Sequence, residues 1–280
     1  MEFNDLLSRL PLTTIQPAPL VTVVRLTGVI GRVGGLQRGL TLAALADSIE
    51  AAFKPKRLSA VALAINSPGG SPVQSSLIAG RIRQLSEEKK IPVLGFIEDV
   101  AASGGYWLAT AADEIYANEA SIVGSIGVIS AGFGFNQLLD RIGVERRVHT
   151  QGAHKAMLDP FRPEQPADVA RLLALQAELH DGFKAVVRHR RGDKLKGDDQ
   201  LLFEGDVWTG RGALDLGLID GIGDLRGVLR RRFGDKVKLR VVGERRSWWR
   251  RRLGLGAGGQ WAAEAMAAVE DRALWARFGL

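Results

Sequence analysis

The chain has 280 residues, of which 46% are hydrophobic and 25% are charged, and its formal net charge is +7. These proportions are typical of a globular protein, and they exclude a wholly disordered or fibrous chain. Because the sequence contains no cysteine, disulfides, thiolate metal sites and a cysteine nucleophile are also excluded.

Strands and helices alternate in the first part of the chain. The predicted elements are a strand at 20–30, a helix at 40–53, a strand at 58–65, a helix at 73–85 and a strand at 92–97. A β-α-β-α-β order of this kind implies a largely parallel sheet with helices packed on it and right-handed crossovers. The sequence therefore predicts an α/β fold with a mostly parallel sheet.

The second part continues this pattern and then becomes more helical. A loop at 99–103 is followed by a helix at 104–112, a strand at 114–117 and a glycine-rich strand region at 122–135. The later predicted elements are a long amphipathic helix at 163–190, a short helix, a turn and a second helix within 208–229, and a C-terminal helix at 260–278. We divide the chain into a lead at 1–19, one domain at 20–243, and a basic linker with the C-terminal helix at 244–280.

Two glycine loops follow predicted strands, and the second of them contains Ser103. Small residues surround this serine and leave its hydroxyl unobstructed, and the helix that follows places it near free backbone amides. Acyl transfer needs such amides, because they stabilise the oxyanion of the tetrahedral intermediate. We expect one donor from Gly104 and a second from the other loop, at Gly70, where no side chain obstructs the amide. In the structural alternative, both loops are tight turns and Ser103 is only a helix N-cap.

Four ordered motifs together resemble a known family. They are Asn-Ser-Pro-Gly-Gly-Ser from 66, Ala-Ala-Ser-Gly-Gly-Tyr-Trp from 101, Gly-Ser-Ile-Gly-Val-Ile from 124 and Trp-Thr-Gly-Arg-Gly-Ala-Leu-Asp-Leu-Gly-Leu-Ile-Asp from 208. The chain is similar to the signal peptide peptidase A family, the serine peptidases of family S49, from about 20 to 229. This resemblance implies the β-α superhelix of the Clp protease and crotonase superfamily, and makes 20–243 an S49-like peptidase domain.

The resemblance also implies a catalytic role for three side chains. Ser103 matches the family's nucleophile, Lys155 matches its general base, and the hydroxyl of Ser125 is implied to hold that lysine. A lysine serves as a base only if its pKa falls from about 10.4 toward neutrality, which burial or a cationic neighbour can cause. In the alternative, Lys155 is an ordinary solvated surface residue.

A local alternative to Lys155 is its neighbour His154, because histidine is the commonest base for a serine nucleophile. No histidine pair has a spacing familiar from zinc sites, and no carboxylate cluster accompanies the histidines. The glycine pairs elsewhere lack the context of a dinucleotide or phosphate loop. We therefore expect neither a metal nor a cofactor.

The resemblance implies that the protein cleaves signal peptides or other extended, unfolded peptides with a Ser-Lys dyad. The resemblance further implies a homo-oligomer in which a neighbouring subunit supplies the lysine. One alternative is a non-catalytic scaffold of the same fold that binds peptides or a membrane. The other is a crotonase-type acyl-CoA enzyme, which would use the same two amides but would give Ser103 and Lys155 no role.

Positive charge is concentrated near the C-terminus. Between 226 and 252 there are twelve lysines and arginines against two acids, a local charge of +10. The segment that begins with Trp248 and Trp249 and continues with Arg250, Arg251 and Arg252 indicates peripheral contact with an anionic membrane rather than nucleic acid, or else a solvated basic face. No signal peptide or transmembrane helix is predicted, so we expect a cytoplasmic protein, at most peripheral at the inner face of the membrane.

Overall fold

The computed structural model describes residues 18–31, 39–243, 272 and 275–279. Its strands are β1 (Leu20–Thr27), β2 (Leu58–Ser67), β3 (Val93–Ala102), β4 (Glu114–Ala117), β5 (Ile122–Gly124), β6 (Val207–Thr209), β7 (Gly221–Ile222) and β8 (Lys238–Val242). Its helices are α1 (Leu42–Ala52), α2 (Pro72–Lys89), α3 (Gly104–Ala109), α4 (Asn136–Ile142), α5 (Pro166–Arg191), α6 (Asp199–Phe203), α7 (Gly210–Asp215) and α8 (Leu225–Phe233), with a 3₁₀ turn at Gly192–Lys194.

The eight strands form one sheet, in the order β6-β5-β3-β2-β1-β8, while β4 pairs with β3 and β7. All pairs are parallel except that of β5 with β6. Helices α1 and α2 make the two crossovers between the first three strands, as parallel strands require. The predicted α/β fold with a mostly parallel sheet is confirmed.

Strand β2 shows why the sheet is covered on both faces. Its successive side chains alternate between two hydrophobic clusters. The first cluster contains Val61, Leu63 and Ile65 together with residues of α1, α2 and α3. Ala60, Ala62 and Ala64 belong to the second cluster, which contains residues of α8. A run of apolar residues without polar alternation is typical of a parallel strand buried on both faces. The three alanines let α8 approach closely on its side.

Strand β3 continues through the segment predicted as a loop at 99–103. Its first half pairs with β4, its last three residues pair with β5, and the exposed Glu98 and Asp99 lie between the two pairings. Asn66 supports this change of partner, because its side chain donates to the Asp99 carboxylate at 2.5 Å and accepts the Val100 N–H at 3.3 Å. The loop prediction was wrong since the polar pair interrupts the apolar pattern but not the strand. Strand β3 therefore ends one residue before Ser103.

The strand region predicted at 122–135 is confirmed only for its first three residues, since β5 ends at Gly124 and α4 begins at Asn136. The turn predicted inside 208–229 contains the short strand β7. The predicted C-terminal helix lies largely outside the described residues, and so does the whole segment from Trp248 to Arg252. Within the part that the structure describes, no helix has the length and apolar character needed to cross a membrane.

Candidate active site

Ser103 occupies the turn between β3 and α3 in a strained conformation. Its backbone has φ 53° and ψ −123°, a region that residues other than glycine rarely adopt. Such a conformation costs of order 1–3 kcal/mol and persists only where its surroundings impose it. Here the Ser103 N–H donates to the Gly124 carbonyl at 2.8 Å, and the Ser103 carbonyl accepts from Tyr106 N–H at 3.0 Å. The side chain makes no capping hydrogen bond and is half-buried, so the hydroxyl remains available.

The two glycine loops meet beside this serine. A Cβ on Gly69 would lie 2.8 Å from Ser103 Cβ, and a Cβ on Gly104 would lie 3.4 Å from the amide nitrogen of Gly70. Real Cβ atoms essentially never come as close as the first of these contacts, so Gly69 admits no side chain here. The structure thus brings Ser103, Gly104 and Gly70 together.

The amide of Gly70 points away from the segment that holds it. Ile30 N–H donates to the Gly69 carbonyl and Ser71 N–H donates to the Ile30 carbonyl, both at 2.8 Å. In this parallel pairing the N–H of Gly70 itself faces the other side. Among the described residues, neither Gly70 N–H nor Gly104 N–H has a hydrogen-bond acceptor. Two unpaired amides beside a serine hydroxyl are what an oxyanion hole requires.

Ser125 follows the strand that holds the nucleophile loop. It is the residue after Gly124, whose carbonyl accepts the Ser103 N–H, and it also has a positive φ of 53°. Its own N–H donates to the Asp206 carbonyl at 2.6 Å, and its side chain is half-buried. Ser103 and Ser125 are thus fixed through one strand end.

The structure does not bring Lys155 to this pair. Lys155 lies in a series of turns between α4 and α5, its side chain is exposed, and its N–H donates to the Gly152 carbonyl at 3.1 Å. Within the described residues its ammonium makes no hydrogen bond or ion pair, with Ser103, Ser125 or any other group. A single chain therefore shows no assembled dyad.

His154 does not take the place of Lys155. Its side chain is exposed, and its Nε2 lies 3.1 Å from a guanidinium nitrogen of Arg171 on α5. A guanidinium can only donate, so Nε2 accepts this hydrogen bond. The contact ties the Lys155 segment to α5 and leaves His154 without an observed link to Ser103. Among the residues described, no group of acids and histidines could hold a metal ion.

A buried network that the sequence analysis did not identify anchors α3. Tyr106, fully buried, donates its hydroxyl to the Leu218 carbonyl at 2.7 Å. Arg191 at the end of α5 is 3% exposed, and it donates to the Gly217 carbonyl at 2.8 Å and to the Asp220 carboxylate at 2.7 Å. The only signal of this network in the sequence is the motif at 208–220, to which no role was assigned. The network connects that motif to the helix that begins beside Ser103.

Asp220 should make the stability of the protein depend on pH. Burial favours the neutral carboxyl, but hydrogen bonds from Arg191 and Lys194 outweigh it and keep the Asp220 pKa below its ordinary value. The unfolded chain therefore binds this proton at a higher pH than the folded chain does. The stabilisation is present above the ordinary pKa of about 4, and it is lost as the pH falls through the lower folded value.

We expect Asp220→Asn to lower the free energy of unfolding at neutral pH by about 3 kcal/mol or more, because it leaves the buried Arg191 without its counter-charge. Urea unfolding of both proteins at about pH 7 and at about pH 3 measures this difference, which should shrink at the lower pH. An equal difference in unfolding free energy at the two pH values would contradict this role for the ionised carboxylate.

Exposed apolar side chains are concentrated between 129 and 179. Helix α4 has no buried residue. Ten of the fifteen exposed large hydrophobic side chains in the described part fall in this range: Ile129, Phe133, Phe135, Leu138, Ile142, Val144, Phe161, Leu173, Leu175 and Leu179. We call these ten residues the 129–179 apolar surface. Large exposed apolar patches are typical of interaction surfaces.

The chain matches a known peptidase family and several proteins named as proteases. The model of "Peptidase family S49" matches residues 86–238, which include Ser103, Ser125 and Lys155 but not Gly70. "Serine protease SPPA, chloroplastic" of Arabidopsis thaliana is 33% identical over 73% of this chain and 31% of its own length. "Protease 4" of Haemophilus influenzae is 31% identical over 80% of this chain and 36% of its own length.

A Brucella abortus protein is 51% identical over 93% of this chain, and its printed name is "Na(+)/H(+) antiporter NhaA". The match makes up 37% of that protein, so the name describes a much longer chain and is not transferred here. The matched regions make up between 31% and 37% of these three relatives, so this chain spans about a third of each.

A solved structure of a membrane-bound stomatin-specific protease has the same fold. It aligns with a TM-score of 0.50 and 16% identity, and covers 81% of this chain and 98% of its own. This likeness agrees with the Clp protease-like β-α superhelix expected from the sequence.

Proposed function

Because the chain belongs to peptidase family S49, we propose that it is a serine endopeptidase in which Ser103 is the nucleophile and Lys155 is the general base. The observation that carries this proposal is the conformation of Ser103. Its hydroxyl is unbonded at a strained turn, beside the two unpaired amides of Gly70 and Gly104. A structural N-cap would have used its hydroxyl to cap the helix.

Each of these residues has a defined role in the reaction. Lys155 Nζ accepts the proton of the Ser103 hydroxyl while Oγ attacks the peptide carbonyl, and the oxyanion receives hydrogen bonds from Gly70 and Gly104. The C–N bond then breaks and Lys155 returns the proton to the leaving amine. A water molecule, deprotonated by Lys155, hydrolyses the acyl ester and regenerates Ser103. Ser125 orients the Lys155 amine.

The substrate we propose is an extended peptide, such as a signal peptide or an unfolded segment. Within the described residues, the N–H groups of Gly127, Val128 and Ile129 have no acceptor. These residues continue the chain from Ser125, so an extended peptide could pair with them and pass Ser103. Folded proteins do not offer such a free strand, which restricts the substrates to accessible peptides.

We place the complete dyad in a homo-oligomer. A lysine becomes a base only when its ammonium is desolvated or has a cationic neighbour, and Lys155 is exposed in the single chain. The members of the 129–179 apolar surface that lie on α4 and α5 flank Lys155 in sequence. A second copy of this chain is the partner that would cover them together with Lys155. In that assembly the Lys155 of one subunit reaches the Ser103 of another.

Mixing two inactive variants tests the shared site. Ser103→Ala and Lys155→Met should each be inactive alone, whereas subunits mixed and reassembled in equal amounts should regain about a quarter of the wild-type activity, because one site in four receives both intact residues. Cleavage of a fluorogenic peptide measures the recovery, and subunits kept from exchanging are the control. No recovery after demonstrated exchange would assign both residues to one chain.

Peripheral contact with the inner face of a membrane is part of the proposal. The segment with Trp248, Trp249 and Arg250 to Arg252 combines aromatic rings and positive charge, which suits an anionic lipid surface. Flotation with anionic vesicles after replacement of both tryptophans tests it, and undiminished flotation would contradict it.

A further inference from the structure

A preformed groove lies beside the Lys155 segment. Its walls are the stretches 130–136 and 156–165, and side chains of α5, including Asp168 and Leu172, complete it. Its volume is about 820 Å³. Clefts of about 300–1,000 Å³ hold small ligands in other proteins, so this groove has room for several side chains of a peptide.

The two walls are fixed against each other. Phe135 N–H donates to the Pro160 carbonyl at 2.6 Å, and the rings of Phe135 and Phe161 lie 5.6 Å apart. The Arg146 guanidinium covers the Phe161 ring at 4.5 Å and pairs with the Asp159 carboxylate. These contacts keep the groove open without a ligand.

The chain connects the groove to the proposed catalytic centre on both sides. Ala156 lines the groove and is the residue after Lys155. Ser130 lines it as well and directly follows the unpaired segment 127–129. The groove therefore lies beside the contact between Lys155 and a Ser103 hydroxyl, whether the two residues belong to the same subunit or to different ones. This conclusion rests on the proposed function.

The lining is partly apolar and contains one carboxylate without a partner among the described residues. Phe133 is 81% exposed and offers an uncovered aromatic ring. The lining contains three carboxylates, Asp159, Glu164 and Asp168, against the single guanidinium of Arg162. Asp159 and Asp168 are paired with arginines, whereas Glu164 is exposed and has no partner among the described residues. A ligand that complements this lining has an apolar side chain and a cationic one.

We infer that this groove is a substrate subsite, which binds a basic residue next to apolar residues of the extended peptide, away from the bond that is cleaved. Glu164 attracts the basic side chain, and Phe133 contacts the apolar ones. The peptidase therefore selects peptides in which lysine or arginine adjoins an apolar run.

Charge reversal tests the subsite. Two long fluorogenic peptides differ only in a lysine or a glutamate beside the same apolar run, and a short activated ester reports on the catalytic residues alone. We expect the wild-type protein to favour the lysine peptide in kcat/KM by about three- to tenfold, and Glu164→Lys to reverse the preference. Ester hydrolysis should be unchanged. Glu88→Lys, an exposed acid at the end of α2, is the matched control and should keep the wild-type preference.

The other outcomes are distinguishable. An unchanged peptide preference in Glu164→Lys, with normal ester hydrolysis, would overturn the subsite and leave the proposed function standing. A smaller assembly in Glu164→Lys, measured by light scattering, would assign the groove to a subunit contact and likewise overturn it. If the wild-type assembly hydrolyses neither ester nor peptide, the proposed function fails and the subsite fails with it.

Discussion

Replacing Ser103 by alanine is expected to lower kcat/KM for peptide cleavage by about 10⁴-fold or more, because loss of the nucleophile leaves only the oxyanion hole and substrate binding. The change removes a single oxygen, which makes no capping hydrogen bond in the folded protein. Alanine at φ 53° is strained much as serine is, so stability should change little. The unfolding midpoint and the rate of peptide hydrolysis, measured on the same preparation, separate the two effects.

Ser76→Ala is the matched control, since Ser76 is an exposed serine on α2. It should retain full activity. Activity of Ser103→Ala within a factor of about ten of wild type would assign the chemistry to another residue.

Replacing Lys155 by methionine is expected to lower kcat by about 10² to 10⁴-fold, the usual contribution of a positioned general base. Methionine keeps an unbranched side chain but cannot accept a proton. Lys155 makes no hydrogen bond through its ammonium in the described part of the chain, so the fold and the assembly should be unaffected. The measurement is a pH–rate profile of both proteins, in which the variant should lose the dependence on the basic group.

Lys184→Met provides the comparison, because Lys184 lies on α5 and pairs with Asp181 at 2.6 Å. This control should keep the wild-type profile. If His154→Ala abolished activity while Lys155→Met did not, histidine would be the base.

Ser103 was predictable because its signals are local. The small residues around it, the position before a helix and the glycines of the second loop all appear in the sequence, and each has a direct structural counterpart. The approach of Gly69 to Ser103, at 2.8 Å for a Cβ, shows why glycine is required in that loop. What the sequence did not reveal is the positive φ of Ser103, which depends on the carbonyl of Gly124 in another strand.

Lys155 is proposed as the base only through family resemblance. Nothing in its neighbouring residues distinguishes it from a surface lysine, and the isolated chain leaves it exposed. Few side chains of the segment around it are buried. The apolar residues between 129 and 144 therefore follow neither a strand nor a helix core pattern, and part of this segment was wrongly predicted as strand. Side chains that do not pack against their own chain carry no periodicity imposed by its fold.

The network of Tyr106, Arg191 and Asp220 was missed for a different reason. Its members are separated by up to 114 residues in sequence, and hydrogen bonds over such separations have no local pattern. A buried arginine, moreover, cannot be told from a solvated one at the end of a basic helix such as α5. Only the fold shows that this hydrogen-bond network anchors the helix that follows Ser103.

The most direct test of the dyad is labelling of the assembled protein with a fluorophosphonate probe, followed by peptide mass spectrometry. We expect a single modified residue, Ser103, with labelling abolished in Ser103→Ala and strongly slowed in Lys155→Met. Absence of label at Ser103 in an assembly of confirmed mass, or label at another serine, would contradict it.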